Sequence, residues 1–415
     1  MTKIPLSHPY LTSSEKRLVL QVLNGAQLSL GPRLDEFEHR LADYVGATYA
    51  VAVNSGTSAL HLCIKSLNIR EGDEVITTPF SFIASANCIL YEKARPVFVD
   101  IDPLTFNIDP GKIEENINSK TRAILPVHVF GLPCDMTRMK AIAQQHNLYI
   151  IEDACEALGA KCLLRDPAKM PPLHYHKVGA IGDCGAFGFY PNKQMTTGEG
   201  GLVVTNNVHI ATSCRSLRNQ GRSENPAWLE HTQLGYNYRL SDINCAIGIA
   251  QLQKLHTILR LRERVAHWYN ERLHRLEEIV TPFQSITCRR SWFVYVCRLS
   301  DDFSKNDRNS ILDQLRASGI ECRDYFPPIH LQPFYARMFG YKKGDFPVAE
   351  HVAERTIALP FFTNMSEEQV DYVCKRLCRI VQKLKSEKSV PSKDRRNGQK
   401  LCRPSCIEYD WQRDR

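Results

Sequence analysis

Lys193 stands alone between an aromatic run and a flexible glycine-rich stretch, Phe187-Gly188-Phe189-Tyr190-Pro191-Asn192-Lys193-Gln194-Met195-Thr196-Thr197-Gly198-Glu199-Gly200-Gly201. A lysine in a surface turn is ordinarily solvated and inert, so its meaning depends on what the chain offers elsewhere. Gly56-Thr57-Ser58 opens a helix directly after the apolar run Tyr49 to Val53. Such a hydroxyl-rich start presents free N–H groups and the positive end of the helix dipole, a natural phosphate seat. Asp153 closes the run Leu148-Tyr149-Ile150-Ile151-Glu152, at a strand end where α/β sheets collect their ligands. Phe82 supplies a flat side chain. Taken singly, each has an ordinary reading: a capped helix, an Asp that caps the next helix, a solvated amine. Taken together they form the set that pyridoxal phosphate chemistry requires. A lysine bonds the cofactor and later shuttles a proton, and an acid keeps the pyridine nitrogen protonated so that the ring remains an electron sink. Helix-end donors hold the phosphate, and an aromatic covers the ring. The glycine run after Lys193 reads as room for that cofactor.

The elements that must position these residues alternate. Helical periodicity over residues 12 to 45 gives way to the strand 49–53 and a helix through Leu67. Then come the strand Glu74 to Thr78, a helix Phe82 to Glu92, the strand Pro96 to Asp100 and a helix Lys112 to Ile117. The strand Ala123 to His128, a helix Met136 to His146 and the strand ending at Asp153 complete the series. Such alternation predicts an α/β fold, a largely parallel sheet covered by helices on both faces. Residues 162–178, with three prolines, read as a surface loop in which His174 and His176 are exposed and hold no metal. Ser241 caps one long helix, Ile243 to about Leu276, that bridges to a smaller α+β part ending in a helix from Ser366 to about Leu384. The expected organisation is a large cofactor-binding domain over 1–255, a small C-terminal domain over 256–385 and a basic, disordered tail over 386–415.

Composition removes other classes. An apolar fraction of 43% with 24% charged residues is that of a globular protein. The net charge of +8 points first to nucleic acid, but ten Lys/Arg against five Asp/Glu from Lys383 onward put most of the excess in the tail. No nucleic-acid ligand is expected. Fifteen cysteines, an odd number without a Cys-x-x-Cys pair, are expected to pack as reduced small hydrophobes rather than form disulfides or a metal site. Met1 to Leu11 lacks a secretory pattern, and no run approaches the ~20 apolar residues of a membrane span. A cytoplasmic protein without a membrane partner is the expectation.

Several longer stretches carry a resemblance: Asn54-Ser55-Gly56-Thr57-Ser58-Ala59-Leu60, Thr78 to Asn87, Pro126-Val127-His128-Val129-Phe130-Gly131, Glu152-Asp153-Ala154-Cys155-Glu156-Ala157-Leu158-Gly159, Tyr190 to Gly201 and Gly235-Tyr236-Asn237-Tyr238-Arg239-Leu240-Ser241. In this order the chain resembles the DegT/DnrJ/EryC1/StrS sugar aminotransferases over about residues 4–385. The resemblance implies an aspartate-aminotransferase-like (fold type I) large domain, pyridoxal 5'-phosphate as cofactor, a nucleotide-linked keto sugar as acceptor and L-glutamate as amino donor. The product would be an amino sugar for surface polysaccharide or natural-product assembly. By the same resemblance Lys193 bonds the cofactor, Asp153 meets the pyridine nitrogen, and Phe82 stacks on the ring. Gly56, Thr57 and Ser58 form the phosphate turn, and Glu156 is a cofactor-side position often held by Gln or Glu. Asn237 reaches the phosphate of a neighbouring subunit, implying a homodimer with shared sites. Tyr325 to His330 resembles the region lining the sugar-nucleotide site, with Tyr325 and His330 as candidates. Gly188 departs from the pattern, since many members carry there a serine that binds the phosphate. Two rivals stand beside this reading: a related sugar dehydratase, which has histidine in place of the lysine, and a non-catalytic regulatory or binding protein on the same fold.

Overall fold

The computed structural model describes residues 3–165, 173–223 and 230–389. Helices α1 (Ser13–Leu23) and α2 (Pro32–Val45) come first, α1 opening on a capping box formed by Thr12 and Glu15. Strand and helix then alternate through β1 (Tyr49–Val53), α3 (Gly56–Ser66), β2 (Glu74–Thr77), α4 (Ala84–Tyr91), β3 (Arg95–Phe98), β4 (Thr121–Ile124), α5 (Met136–His146) and β5 (Tyr149–Asp153). A hairpin of β6 (Lys161–Arg165) and β7 (Leu173–Lys177) precedes β8 (Cys184–Gly188), β9 (Gly201–Thr205) and α6 (Val208–Arg218).

Among the described residues, seven strands form the main sheet in the order β1-β9-β8-β5-β4-β2-β3. Pairing is parallel from β3 through β8, and β9 runs antiparallel to both of its neighbours. Helices cover both faces and bury every residue of β9, which is why that strand reads as a continuous run rather than an alternation. One apolar core lies between the sheet and α3, α4 and α6, with Val51, Leu62, Ile151 and Val203 in it. A second packs Phe37, Leu41, Ile124, Phe187 and Leu202 on the opposite face. Each fully buried aliphatic side chain contributes about 1.5–3 kcal/mol, so the two cores fix the strand ends from which the site is built.

After the sheet come α7 (Asp242–Gln253), α8 (Leu255–Leu273), β10 (Ile279–Val280), β11 (Cys288–Arg289), β12 (Tyr295–Leu299), α9 (Lys305–Ala317), α10 (Pro333–Phe339), α11 (Pro347–Ala353), β13 (Thr356–Leu359) and α12 (Glu367–Ser389). Strands β10, β12 and β13 form a separate antiparallel sheet, whose core includes Tyr269, Tyr295, Phe361 and Leu377. Ile4 belongs to this core as well, bridging to Ile320.

Four expectations are corrected. The stretch expected as a loop over 162–178 contains the hairpin β6–β7, which exists because β6 finds a second partner in the distant β11; residues 166–172 lie outside the described residues. The single long helix is two, parted at Lys254. The break falls where Lys254 Nζ turns to Glu15 (2.5 Å) and Thr12 (2.9 Å) and Gln251 to Tyr10 O (2.8 Å), so contacts with the N-terminal segment replace helix continuation. The helix expected over 112–117 is two short 3-10 turns, Pro110–Lys112 and Glu114–Asn116. Finally, α12 carries on to Ser389, so residues 386–389 are helical, and the rest of the expected tail lies outside the described residues. No helix among the described residues is long and apolar enough to cross a membrane.

Candidate active site

Asp153 is the last residue of β5, 5% exposed, and its carboxylate is held from two sides. Ser85 Oγ donates to Oδ2 at 2.7 Å, and the Cys155 amide donates to Oδ1 at 3.1 Å. An ionised carboxylate offers about four lone-pair sites. Two are used here, so the group is oriented yet still able to accept from a protonated ring nitrogen. Ser85 was not assigned a role from sequence. Its hydroxyl also lies 2.8 Å from that of Ser81, which precedes α4, so a contact across the bend and not a helical spacing brings the two together. Phe82, between them in sequence, is 61% exposed and so leaves its ring free to take a flat partner.

Lys193 follows β8 in a turn closed by its own amide on Tyr190 O (3.0 Å), with its side chain only 15% exposed. Nζ lies 3.8 Å from Glu156 Oε1 and 3.9 Å above the Phe293 ring. The other Glu156 oxygen accepts from the Phe130 amide at 2.9 Å. Burial pushes the Glu156 carboxyl above the usual carboxylate range, against the lowering pull of Lys193 and the Phe130 amide. Burial and the Asp153 charge likewise push the Cys155 thiol up, so it stays a neutral thiol beside the two acids.

Gly56, Thr57 and Ser58 lie at the start of α3. Ser55 caps the helix by accepting from the Ser58 amide (3.1 Å), and Ser58 Oγ bonds Asn54 Oδ1 (2.7 Å). Gly56 and Thr57 occupy the first turn, whose N–H groups the helix cannot itself use. This turn lies against the β8–β9 pair at the point where Gly188 and Gly201 face each other. A Cβ on Gly201 would come 2.2 Å from Ser55 O, and one on Gly200 would come 2.3 Å from Thr197 Oγ1. Gly201 therefore makes room for the backbone at the start of α3, and Gly200 for the Thr197 hydroxyl of its own turn. At Gly188 a Cβ would meet Cys155 and Gly56 at 3.5–3.7 Å, ordinary contact distance.

The remaining candidates are placed differently. Asn237 is exposed, and its carbonyl accepts from Asn54 Nδ2 (3.4 Å), so its backbone is tied to the phosphate side of the same chain. Tyr325 stacks on Phe326 (5.0 Å between centroids) and Phe130 (6.4 Å). Phe130 donates its amide to Glu156, so Tyr325 stands on the Glu156 side of the lysine turn; burial, with the Glu156 charge adding, pushes its phenol up. His330 is not with them. It is fully buried, bonds Glu350 through Nε2 at 3.0 Å and packs edge-on to Phe346. Sequence reasoning also missed Phe293, because only the fold carries it under Lys193, and Gln194, whose amide donates to Glu156 O (2.6 Å) and Ser291 O (3.1 Å).

The donor set fits pyridoxal phosphate: an oriented carboxylate with free lone pairs stands at the end of β5, a largely buried amine follows β8, and a helix start with spare donors lies against Cys155 and Gly188. Known proteins agree. The sequence profile of the DegT/DnrJ/EryC1/StrS aminotransferase family matches residues 9–378. GDP-perosamine synthase of Caulobacter vibrioides is 39% identical over 92% of this chain and 99% of its own. Among solved structures, DesV of S. venezuelae superposes with a TM-score of 0.84 at 31% identity, covering 92% of this chain and 99% of its own. PseC of Helicobacter pylori, an aminotransferase involved in the biosynthesis of pseudoaminic acid, gives 0.85 at 28%, covering 92% and 100%. The arrangement of Lys193 and Asp153 at the carboxyl ends of the sheet thus has its explanation in descent: the chain belongs to the DegT/DnrJ/EryC1/StrS aminotransferase family and is a pyridoxal phosphate dependent aminotransferase.

Proposed function

We propose that the protein moves the amino group of L-glutamate to the keto group of a nucleotide-linked sugar, in two half-reactions at Lys193, as a step of amino-sugar synthesis for surface polysaccharide or natural products. The observation that carries this reading is the pairing of Lys193 Nζ, 3.8 Å from Glu156, with an Asp153 already oriented by Ser85. The names of relatives support the acceptor class, GDP-perosamine synthase among them. When bound, the cofactor supplies an aldehyde to take up the amine and an electron-withdrawing ring.

The protein supplies the rest. Asp153 accepts from the ring nitrogen and keeps it protonated, while Ser85 and the Cys155 amide stop the carboxylate from rotating away. Gly56, Thr57 and Ser58 hold the phosphate through first-turn donors, and Phe82 covers one ring face. Lys193 would bond the cofactor's aldehyde and, once its amine is free, would hold and move a proton at Nζ in both half-reactions. Glu156 stands within reach to take or return a proton on Nζ, a role suited to a carboxyl raised by burial. Tyr325 faces the acceptor, and His330 steadies the segment from behind through Glu350. Residues 1–255 act as the cofactor-binding domain and 256–385 as the smaller one. A cytoplasmic homodimer, in which Asn237 reaches the partner subunit's phosphate, completes the site; the exposure of its side chain beside Asn54 supports that role.

The test is Lys193→Ala. The purified protein should lose its visible absorption at about 410–430 nm and all exchange of amine between L-glutamate and a panel of nucleotide-linked keto sugars. Survival of the band would sink the assignment of Lys193. Turnover with simple keto acids but with no keto sugar would sink the acceptor class.

A further inference from the structure

Arg262, on α8, is 3% exposed, and no acidic side chain among the described residues offsets its charge. Its donors go to neutral oxygens instead: Nε to Trp292 O (2.7 Å), Nη2 to Phe293 O (2.6 Å) and Asn192 O (3.4 Å), and Nη1 to Thr363 Oγ1 (3.2 Å). The Phe361 ring lies 5.0 Å beneath the guanidinium. A buried cation without a counter-charge is an expensive way to fill a core, because an apolar residue of similar size packs there without desolvation. The choice of acceptors gives a reason. Asn192 is the residue before Lys193, and Phe293 carries the ring on which Lys193 Nζ rests at 3.9 Å. On the other side of the lysine, Gln194 is tied to Ser291 O and Glu156 O. Both chain neighbours of Lys193 are thereby fastened to the one segment 291–293, and Arg262 is the fastening that holds the segment and the lysine turn together. Burial pulls its guanidinium down to about 9.

We propose that Arg262 is a positioning residue for the amine of Lys193: it locks the carbonyl before the lysine and the backbone of the Phe293 shelf into one rigid frame, fixing where Nζ stands. This rests on the reading of Lys193 as the reacting lysine. A planar fork is needed, since the carbonyls of Asn192, Trp292 and Phe293 must be bonded at once.

The experiment uses the full chain with Arg262→Lys and Arg262→Met. In protein stripped of cofactor, modification of Lys193 by an amine-reactive reagent, followed by mass spectrometry, should quicken about tenfold in Arg262→Met, the effect of freeing a shelf held by charge-assisted hydrogen bonds. It should quicken to a lesser degree in Arg262→Lys, which keeps the charge and loses the fork. In cofactor-loaded protein, kcat should fall about a hundredfold, KM for the amino donor should stay within about twofold, and the circular dichroism of the visible band should change. A merely structural role would lower Tm and move none of these. Folded variants with wild-type labelling and kcat would overturn the proposal. Should Arg262→Met fail to fold, Phe293→Leu removes the shelf itself and must speed the labelling of Lys193; wild-type labelling there overturns it equally. A wild-type protein that takes up no cofactor would count against the functional reading instead, because the labelling is read without cofactor.

Discussion

Gly188→Ser introduces the hydroxyl that the family resemblance implies for this position, and the surroundings of Gly188 say what it should do. The added Cβ would meet Cys155 Cβ at 3.5 Å, Cys155 Sγ at 3.6 Å and Gly56 Cα at 3.7 Å, all ordinary contact, and the backbone at this position lies outside the left-handed region. Replacing the glycine therefore costs no strain and removes freedom from the unfolded chain, a gain of about 0.4–1 kcal/mol. The new hydroxyl stands beside the first turn of α3, and a hydrogen bond from it to a phosphate is worth about 1.5–3 kcal/mol. Since 1.4 kcal/mol is a factor of ten, pyridoxal phosphate should bind roughly ten to a hundred times more tightly. The assay is a titration of cofactor-free protein with pyridoxal phosphate, followed in the visible band, with Tm of the cofactor-free protein as control. Unchanged or weaker binding in a variant whose Tm equals or exceeds the wild-type value would refute the placement of the phosphate at the first turn of α3, beside residue 188.

Gly201→Ala should act oppositely: its Cβ would lie 2.2 Å from Ser55 O and 2.7 Å from Gly56 N, so the phosphate turn must shift, and cofactor affinity should fall at least tenfold in the same titration. Ser85→Ala removes the 2.7 Å bond to Asp153 and should lower stability by about 1–3 kcal/mol in urea denaturation and kcat about tenfold, while Ser81→Ala should spare kcat. Glu15 sets a pH prediction. Burial raises its pKa, but Lys254, the Thr12 amide and Gln251 outweigh burial and hold it at about 2, below the ordinary 4.5. The folded value is depressed, so its contribution is complete above pH 4.5 and is lost as pH falls through about 2. Glu15→Gln should therefore cost about 2 kcal/mol near pH 7 and progressively less on acidification; a gap in Tm between the two proteins that stays constant down to the lowest pH at which both fold would refute the pairing.

The alternation of apolar runs made the parallel sheet legible, because strands buried on both faces are continuous in sequence. Asp153 and the Gly56 turn were legible for the same reason: they sit where such runs stop. What sequence could not show was what each residue faces. Gly198, Gly200 and Gly201 look alike as letters, yet Gly198 is required by its φ of +85°, Gly200 by the Thr197 hydroxyl in its own turn, and Gly201 by Ser55 O, which only the pairing of β1 with β9 brings near. Tyr325 and His330 lie five residues apart, and one stacks on Phe130 while the other is closed off behind it against Glu350. The break at Lys254 depends on α1, far away in the chain, and helical periodicity carries no trace of it. Arg262 reads as one more charge on an amphipathic helix until its four acceptors are seen.

The shelf beneath Lys193 bears on how the enzyme is made in time. Ser291 donates its amide to Gly131 O (3.0 Å) and its hydroxyl to Leu158 O (2.6 Å), and its carbonyl receives Gln194, so one late stretch of chain finishes a wall begun by three earlier ones. A ribosome adding roughly 5–20 residues per second delivers Phe293 roughly 5–20 s after Lys193. During that interval the nascent chain holds the lysine, the acid and the phosphate turn with nothing to fix the amine. Firm placement of the amine is thus expected late in synthesis, and chains arrested before residue 291 and freed of unbound pyridoxal phosphate should lack the band at about 410–430 nm that the full chain shows.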